Sequence, residues 1–379
     1  MPLYLDHAAT SPLRPEARDA FLRASELGGN ASSIHSLGRK AKLTLEEARA
    51  DLLAGLNATG AAGLVFTSGG TEANAMALRQ AQSFDYLVLS AGEHDSLYGA
   101  VSGALIAPLR PQGDVDVAAL AALLDRPGQD KKRPFVCVML ANNETGVIND
   151  IAALAALVRA RDGWLHVDAV QALGKINIDF RALGADSLSL SAHKVGGGQG
   201  VGAFAHDRDR VPAALISGSG QELGLRAGTE NIAGIAAFAA AFKACQPMAD
   251  ALCSAQIAVE ASLKALGVTI LGEDARRVPG IVALAQGAWP SALQLIYMDM
   301  AGICVSSGSA CSSGKVKSSR IVSAMGRDDL ADKALRVSAG WTTKPEDWQR
   351  FYDVWSMGYE AYLKRHAKAS GKALEKELN

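Results

Sequence analysis

The chain has 379 residues, 49% of them hydrophobic, and balances 38 basic against 39 acidic residues for a formal charge of −1. That length is enough for a large domain with a sizeable core plus a smaller one, and the charge balance argues against nucleic acid or an anionic membrane as the main partner, favouring a small neutral or zwitterionic ligand. The start, Met1 to His7, has neither a basic n-region nor an apolar h-region, and the longest apolar run, Ile232 to Phe242, falls well short of the ~18 residues of a membrane span, so a cytoplasmic location is expected.

Residues 1–14 hold a short extended piece followed by Pro12 and Pro15, read as an arm rather than a core element. After the polar loop Gly28 to His35, Leu43 to Leu56 is amphipathic and predicts a helix. Leu64 to Thr67 then reads as a strand, Ser68-Gly69-Gly70-Thr71-Glu72 as a tight turn, and Ala73 to Ala81 as a helix. Free backbone N–H groups, the helix dipole and the Thr71 hydroxyl could converge there on one phosphate, while the structural alternative is an ordinary N-cap by Thr71. The turn matches neither the Walker pattern nor GxGxxG, which leaves a monophosphate.

Further strands are expected at Tyr86 to Leu89, Ala104 to Leu109, Phe135 to Leu140, Trp164 to Val167 and Asp186 to Leu190, with helices at Val117 to Leu124 and Ile151 to Ala160. Strands and helices alternate through short loops, so a mostly parallel sheet covered on both faces is expected. His94, Asn143, Asp168, Gln171, His193 and Lys194 all fall at strand ends and should converge on one rim. Lys194 closes Ser191-Ala192-His193-Lys194, ahead of the glycine-rich Val195 to Gly202. Taken singly, the lysine reads as a solvated turn residue, the histidine as structural and the aspartate as a cap. Together they resemble the site of a pyridoxal phosphate enzyme, whose cofactor needs a lysine, a carboxylate opposite its ring nitrogen and a phosphate cup.

A glycine-rich loop, Gly218 to Asn231, precedes a helix at Ile232 to Ala244. Beyond residue 247 the pattern is helix (Ala249 to Leu266), strands (Val268 to Leu271 and Ile281 to Ala285), helix (Ala292 to Ala301), strand (Ile303 to Ser306), helix (Ser319 to Met325), strand (Leu335 to Ser338) and a final helix from Pro345. That is a two-layer α+β unit, and Lys364 to Asn379 reads as a solvated or frayed face. The five cysteines show no CxxC pair and no metal-like spacing. Cys137 and Cys304 read as core residues. Cys311 stands among serines and glycines with Lys315, Lys317 and Arg320 nearby, a setting for an exposed thiolate nucleophile, with a free thiol in a turn as the alternative.

The segments Tyr4 to Thr10, Thr67 to Asn74, Ala141 to Gly146, His166 to Gln171, Ser191 to Lys194, Gly220 to Asn231 and Gly308 to Cys311 together resemble the cysteine desulfurase family, in the class V aminotransferase group. The resemblance implies an α/β, fold-type I pyridoxal phosphate-dependent transferase. Its large domain, residues 15–246, would carry a mostly parallel sheet covered by helices, and residues 1–14 with 247–379 would form a smaller α+β domain carrying the cysteine loop. It further implies that Lys194 bonds covalently to pyridoxal 5'-phosphate, Asp168 pairs with the ring nitrogen, Gln171 bonds the phenolate oxygen and His94 stacks on the ring and shuttles protons. Gly70, Thr71, Ser191 and His193 would hold the phosphate, with Thr229 reaching it from a partner subunit of an obligate homodimer. Asn143 and Arg336 would orient the carboxylate of L-cysteine. Cys311 would take the sulfur as a persulfide, leaving L-alanine, and pass it to an acceptor protein such as an iron–sulfur scaffold.

Three positions depart from the family pattern: His7 stands where asparagine is usual, Ala31 where proline is, and Gly196 to Gly200 where a Gly-Pro-Lys-Gly turn is common. Two rivals share the fold, a selenocysteine lyase, which the same thiol and cofactor would serve, and an aminotransferase, which needs no thiol. A third is a catalytically idle scaffold that binds the cofactor.

Overall fold

In the computed structural model, residues 2–129, 132–307 and 318–377 are described. The chain opens with strand β1 (Leu3–Tyr4) and helices α1 (Pro15–Ser25) and α2 (Ser36–Gly55). There follow β2 (Ala62–Thr67), α3 (Gly70–Ala81), β3 (Tyr86–Ser90), α4 (Asp95–Tyr98), β4 (Leu105–Ala107), α5 (Val117–Leu124), β5 (Pro134–Met139), α6 (Ile151–Arg159), β6 (Trp164–Asp168), α7 (Phe180–Leu183), β7 (Ser187–Ser191) and β8 (Gly202–Asp207). Helices α8 (Ile232–Lys243) and α9 (Asp250–Ala265) lead to β9 (Thr269–Leu271), β10 (Ile281–Ala285), α10 (Ser291–Met300), β11 (Ile303–Cys304), α11 (Arg320–Ala324), β12 (Ala334–Ser338) and α12 (Pro345–Glu377).

Seven strands form one sheet in the order β2-β8-β7-β6-β5-β3-β4. The run from β7 to β4 is parallel, and β8 lies antiparallel between β2 and β7. Every residue of β5, β6 and β7 is buried, as a sheet covered on both faces requires. The serines of Ser187-Leu188-Ser189-Leu190-Ser191 face the interior too: the Trp164 indole donates to Ser187 Oγ (2.9 Å), and both Ser187 and Ser189 hydroxyls contact the buried His166 ring (2.9 and 3.2 Å). Alternation therefore marks the strand here without marking a wet face.

Strand β8 is absent from the sequence reading, because the glycine run ahead of it reads as loop. Gly202 is what admits it: a Cβ there would sit 2.5 Å from the Gly69 carbonyl carbon. Helix α1 is likewise unexpected, since Pro15 starts it at the first helical position rather than breaking the chain.

A separate three-stranded antiparallel sheet, β12-β10-β9, packs against α9, α10 and α12 around Trp289, Trp348 and Trp355. Residues 3–5 join this second core. Leu5 is fully buried, and β1 pairs in parallel with β11, so the arm expected at the start of the chain is a core element. The reason is that Leu3 and Leu5 alternate with half-buried Tyr4 and Asp6, the period of a half-buried strand. The backbone of α12 stays helical to Glu377, past the residue at which fraying was expected. Cys137 is buried as read, whereas Cys304 is only half-buried.

Candidate functional site

The strand ends of the large sheet surround a cavity of about 570 Å³. Gly70, Thr71, His94, Asn143, Asp168 and Gln171 line it, as do Ser191, His193, Lys194 and Arg336. Ten of the twelve residues singled out from sequence thus share one wall system. Thr229 is exposed on the loop after β8 and does not line this cavity within a single chain. Cys311 lies outside the described residues.

Helix α3 begins directly at the glycine turn, with Gly69 as its N-cap and no side-chain capping bond. Thr71 sits inside the first turn, so the N-cap alternative does not hold, and the first-turn N–H groups have no intrahelical acceptor. Ser191 is buried beside Gly70, where a Cβ would sit 3.6 Å from the Ser191 Cβ, and His193 Nδ1 lies 3.2 Å from Thr10 Oγ1. Burial, then Lys194 and Lys175, pull the His193 pKa down to about 4, so the ring is neutral and keeps one N–H to donate. Uncapped amides, a hydroxyl and a neutral imidazole make a donor set for one phosphate.

Lys194 leaves β7 on a single 3₁₀ turn, Ala192–Lys194, and its Nζ donates to the carbonyls of Ala8 and Ala9, each at 2.7 Å. Burial and then the Arg336 charge lower its pKa to about 8, against the opposing pull of Asp6 and Asp168. About a tenth is therefore a free amine at pH 7, against well under a thousandth for an ordinary lysine, and that is the state a nucleophilic lysine needs. Asp168, 5% exposed, accepts from Asn74 Nδ2 (2.8 Å) and from the Val170 amide (3.0 Å). Asn74 is held in turn by His166 Nε2, 3.1 Å from its Oδ1, while His166 Nδ1 meets the Ser187 hydroxyl. Burial lowers the His166 pKa to about 3. Donors therefore point in one direction, from Trp164 through Ser187, His166 and Asn74, onto the carboxylate. Gln171 donates from Nε2 to Ala8 O (2.7 Å) and accepts at Oε1 from Lys175 Nζ (3.3 Å).

At the other side of the cavity Arg336 donates to Asn143 O (2.8 Å) and pairs with Asp6 (2.9 Å), and its buried Nε has no partner. An orphaned guanidinium N–H suits an incoming carboxylate. His94 Nδ1 caps α4 through Ser96, so the structural reading of this histidine is realised alongside its place at the mouth. The flanks of the cysteine segment also reach the site. Ser306, Ser318 and Arg320 line the cavity, Ser306 exchanges backbone hydrogen bonds with Arg336 (2.6 and 3.1 Å), and Ser319 Oγ donates to Glu144 Oε2 (2.5 Å). The Arg320 guanidinium donates to the carbonyls of Ala91 and Glu93 and stands over the Tyr98 ring.

Sequence reasoning gave no role to Asn74, His166 or Glu93. Glu93 is fully buried on the cavity wall. Its Oε1 accepts from Ser90 Oγ (2.5 Å) and the Met139 amide (2.8 Å), while Oε2 has no partner. Burial, with Asp168 adding to it, pushes its pKa up to about 8, so it is a neutral acid at pH 7. Its adjacency to His94 at a strand end was the only available signal. Among the described residues no group of His, Cys, Asp and Glu could hold a metal ion.

The family description Aminotransferase class-V matches residues 3–351. A cysteine desulfurase of Cereibacter sphaeroides is 36% identical over 91% of this chain and 92% of its own, and a cysteine desulfurase IscS of Dictyoglomus turgidum is 32% identical over 93% of each. Among solved structures, a NifS-like protein from Rickettsia africae superposes with a TM-score of 0.86 at 30% identity, covering 95% of this chain and all of that one.

Proposed function

The chain belongs to the class-V aminotransferase family, in its cysteine desulfurase branch, and has the fold-type I architecture of that family; from this premise we propose that it converts L-cysteine to L-alanine, with the sulfur held on Cys311 for an acceptor protein. The observation that carries this reading is the gathering of Lys194, the buried Asp168 carboxylate and an uncapped helix N-terminus around a single cavity. This donor set fits pyridoxal 5'-phosphate: Lys194 would anchor it, Asp168 would face its ring nitrogen, Gln171 its phenolate oxygen, and Gly70, Thr71, Ser191 and His193 its phosphate. Bound there, the cofactor would act as the electron sink that makes the substrate's Cα–H acidic.

The chain's own residues supply the rest. The Arg336 Nε and the Asn143 amide orient the substrate carboxylate. Lys194, with its lowered pKa, takes and returns a proton, and His94 holds another at the mouth. The relay from Trp164 to Asn74 holds the Asp168 carboxylate in place and aimed. The Cys311 thiolate attacks the substrate sulfur as the Cβ–S bond breaks, so that Cys311–S–SH and alanine balance thiol plus cysteine with no external oxidant. The anchored flanks, Ser306 and Ser318, put Cys311 five and seven residues from the cavity wall, and those lengths of chain reach at most roughly 18 Å and 25 Å.

We divide the chain into a large domain, 15–246, and a small one, 1–14 with 247–379, whose junction is the cavity. Thr229, exposed on its loop, serves the phosphate of a second subunit in a homodimer. Among the described residues no helix is long and apolar enough to cross a membrane.

The test is alanine release from L-cysteine with a reductant, comparing the protein with Cys311→Ala. Alanine and sulfide from the parent, with cofactor absorbance but no turnover in the variant, support the reading. Cofactor absorbance without alanine from the parent sinks it in favour of an idle scaffold or another substrate.

A further inference from the structure

A second cavity, of about 310 Å³, lies where residues 244–249 pass from α8 to α9. Lys194 borders both cavities. Its walls carry Arg14, Lys175 and Lys194, and no residue lining it is a carboxylate. None of these three cations has a carboxylate within 4 Å among the described residues. Arg14 donates to two carbonyl oxygens, Val195 O at 2.9 Å and Ala244 O at 3.3 Å, its side chain also hydrogen-bonds the Cys245 side chain, and its guanidinium stacks over Trp341 at 5.3 Å. Lys175 donates only to Gln171, at its backbone oxygen (2.9 Å) and Oε1 (3.3 Å). Buried positive charge without a counter-ion leaves a standing positive potential, which Lys175 shares only in part at neutral pH because burial, then the Lys194 charge, lowers its pKa to about 7. Two neutralised neighbours register it: after burial, the charges of Lys175 and Arg14 help bring the His7 pKa down to about 4, and the charges of Lys194 and Lys175 do the same at His193.

One of the three departures from the family pattern lines this cavity, and a second packs against Arg14 in its wall. His7 lines it, bound to Ser11 Oγ (2.8 Å) and Thr342 Oγ1 (3.1 Å). Gly196, at φ +82°, lets residues 12–14 pack onto the turn after Lys194, since a Cβ there would sit 2.8 Å from Arg14 Cγ and from Pro12 O. The glycine turn, to which the proposed reaction gives no task, thereby seats Arg14 in the cavity wall. The remaining surface is largely apolar, including Leu173, Val195, Met248, Leu252 and Trp341.

We propose that this second cavity binds a small organic anion, an apolar body with one carboxylate head, held by Arg14 and Lys175. The apolar walls take the body, and the cations take the head through charge-assisted hydrogen bonds.

Cys245 lines the cavity and is a half-buried free thiol, so its alkylation reports occupancy at this place and not at Arg336. Cys253, half-buried on α9 and outside the lining, is the internal reference. The cofactor-loaded protein is treated with iodoacetamide in the presence of benzoate or of benzyl alcohol, its neutral counterpart of similar shape, and both cysteines are followed by peptide mass spectrometry. Benzoate slows alkylation of Cys245 but not of Cys253, and benzyl alcohol protects about tenfold more weakly, the loss expected for one charge-assisted contact. Protection disappears in Arg14→Gln and survives in Arg14→Lys. Equal protection by the two probes, none by benzoate, or undiminished protection in a folded Arg14→Gln overturns the proposal. The two-probe comparison on the parent protein stands even where a variant does not fold. Failure here leaves alanine production untouched, so the two readings are separable.

Discussion

Glu222 ties the loop that carries Thr229 to the body of the molecule, and removing it should be costly. Its carboxylate, 2% exposed, accepts from both terminal nitrogens of Arg49 at 2.9 Å and from the Phe66 amide at 2.6 Å. In Glu222→Ala the Arg49 side chain, 10% exposed, keeps the Leu64 carbonyl and Glu46, itself half in solvent at 51%, as its partners, and the Phe66 amide loses its acceptor. Breaking a buried pair from one side costs about 3–5 kcal/mol. The surviving Glu46 contact places this case near the lower end, so Tm falls by about 6–12 °C at about 2–4 °C per kcal/mol for a unit of this size. Thermal unfolding followed by circular dichroism reads the shift. Arg49→Met with Glu222→Met removes both charges and should recover all but about 1–2 kcal/mol, the share of the Phe66 amide. A single variant within about 1 kcal/mol of the parent, or a double variant no better than the single, would refute the pairing argument.

Asn74→Ala strips Asp168 of one of its two hydrogen bonds, and at about 1.5–3 kcal/mol for a bond to a charged group Tm drops by roughly 3–12 °C; an unchanged melting curve denies the relay any worth. Glu93 has a raised carboxyl pKa, so between about pH 4.5 and about 8 the folded protein holds a proton that the unfolded chain releases, and stability declines as pH rises through that window. Glu93→Gln removes the decline, so its Tm advantage over the parent should grow from pH 5 to 8; parallel Tm-against-pH curves would contradict it. The rate at which apoprotein captures added pyridoxal phosphate should rise through a pKa of about 8, set by the Lys194 amine, and a stopped-flow profile still climbing through the usual lysine range would show the amine is not so perturbed.

Most strands and helices are legible in the sequence because period and length agree, as at Val117 to Leu124 and Ile281 to Ala285, where expected and observed limits coincide. The site is legible for the same reason: polar residues that end apolar runs fall on one rim of a parallel sheet. The failures have separate causes. Strand β8 opens on glycine, and only the close approach of Gly202 to Gly69 explains that residue, a contact 133 positions away in sequence. Helix α1 hides behind two prolines that read as breakers. The partners of Asp168 are invisible because Asn74 and His166 belong to different elements, and nothing local in the chain announces that their side chains meet.

The short strand β1 also bears on how the protein is made. Leu3 donates to Gly302 O, the Leu5 carbonyl accepts from Ser338, and Ala8 and Ala9 supply the carbonyls that hold Lys194. At about 5–20 residues per second, the segment that completes the second core leaves the ribosome roughly 15–60 s before its pairing partners exist. During that interval it is an apolar leash without a berth, and the lysine's two acceptors are set only once it docks. A fusion placed directly ahead of Leu3 therefore burdens the last assembly step and the lysine together, whereas one placed after α12 burdens neither.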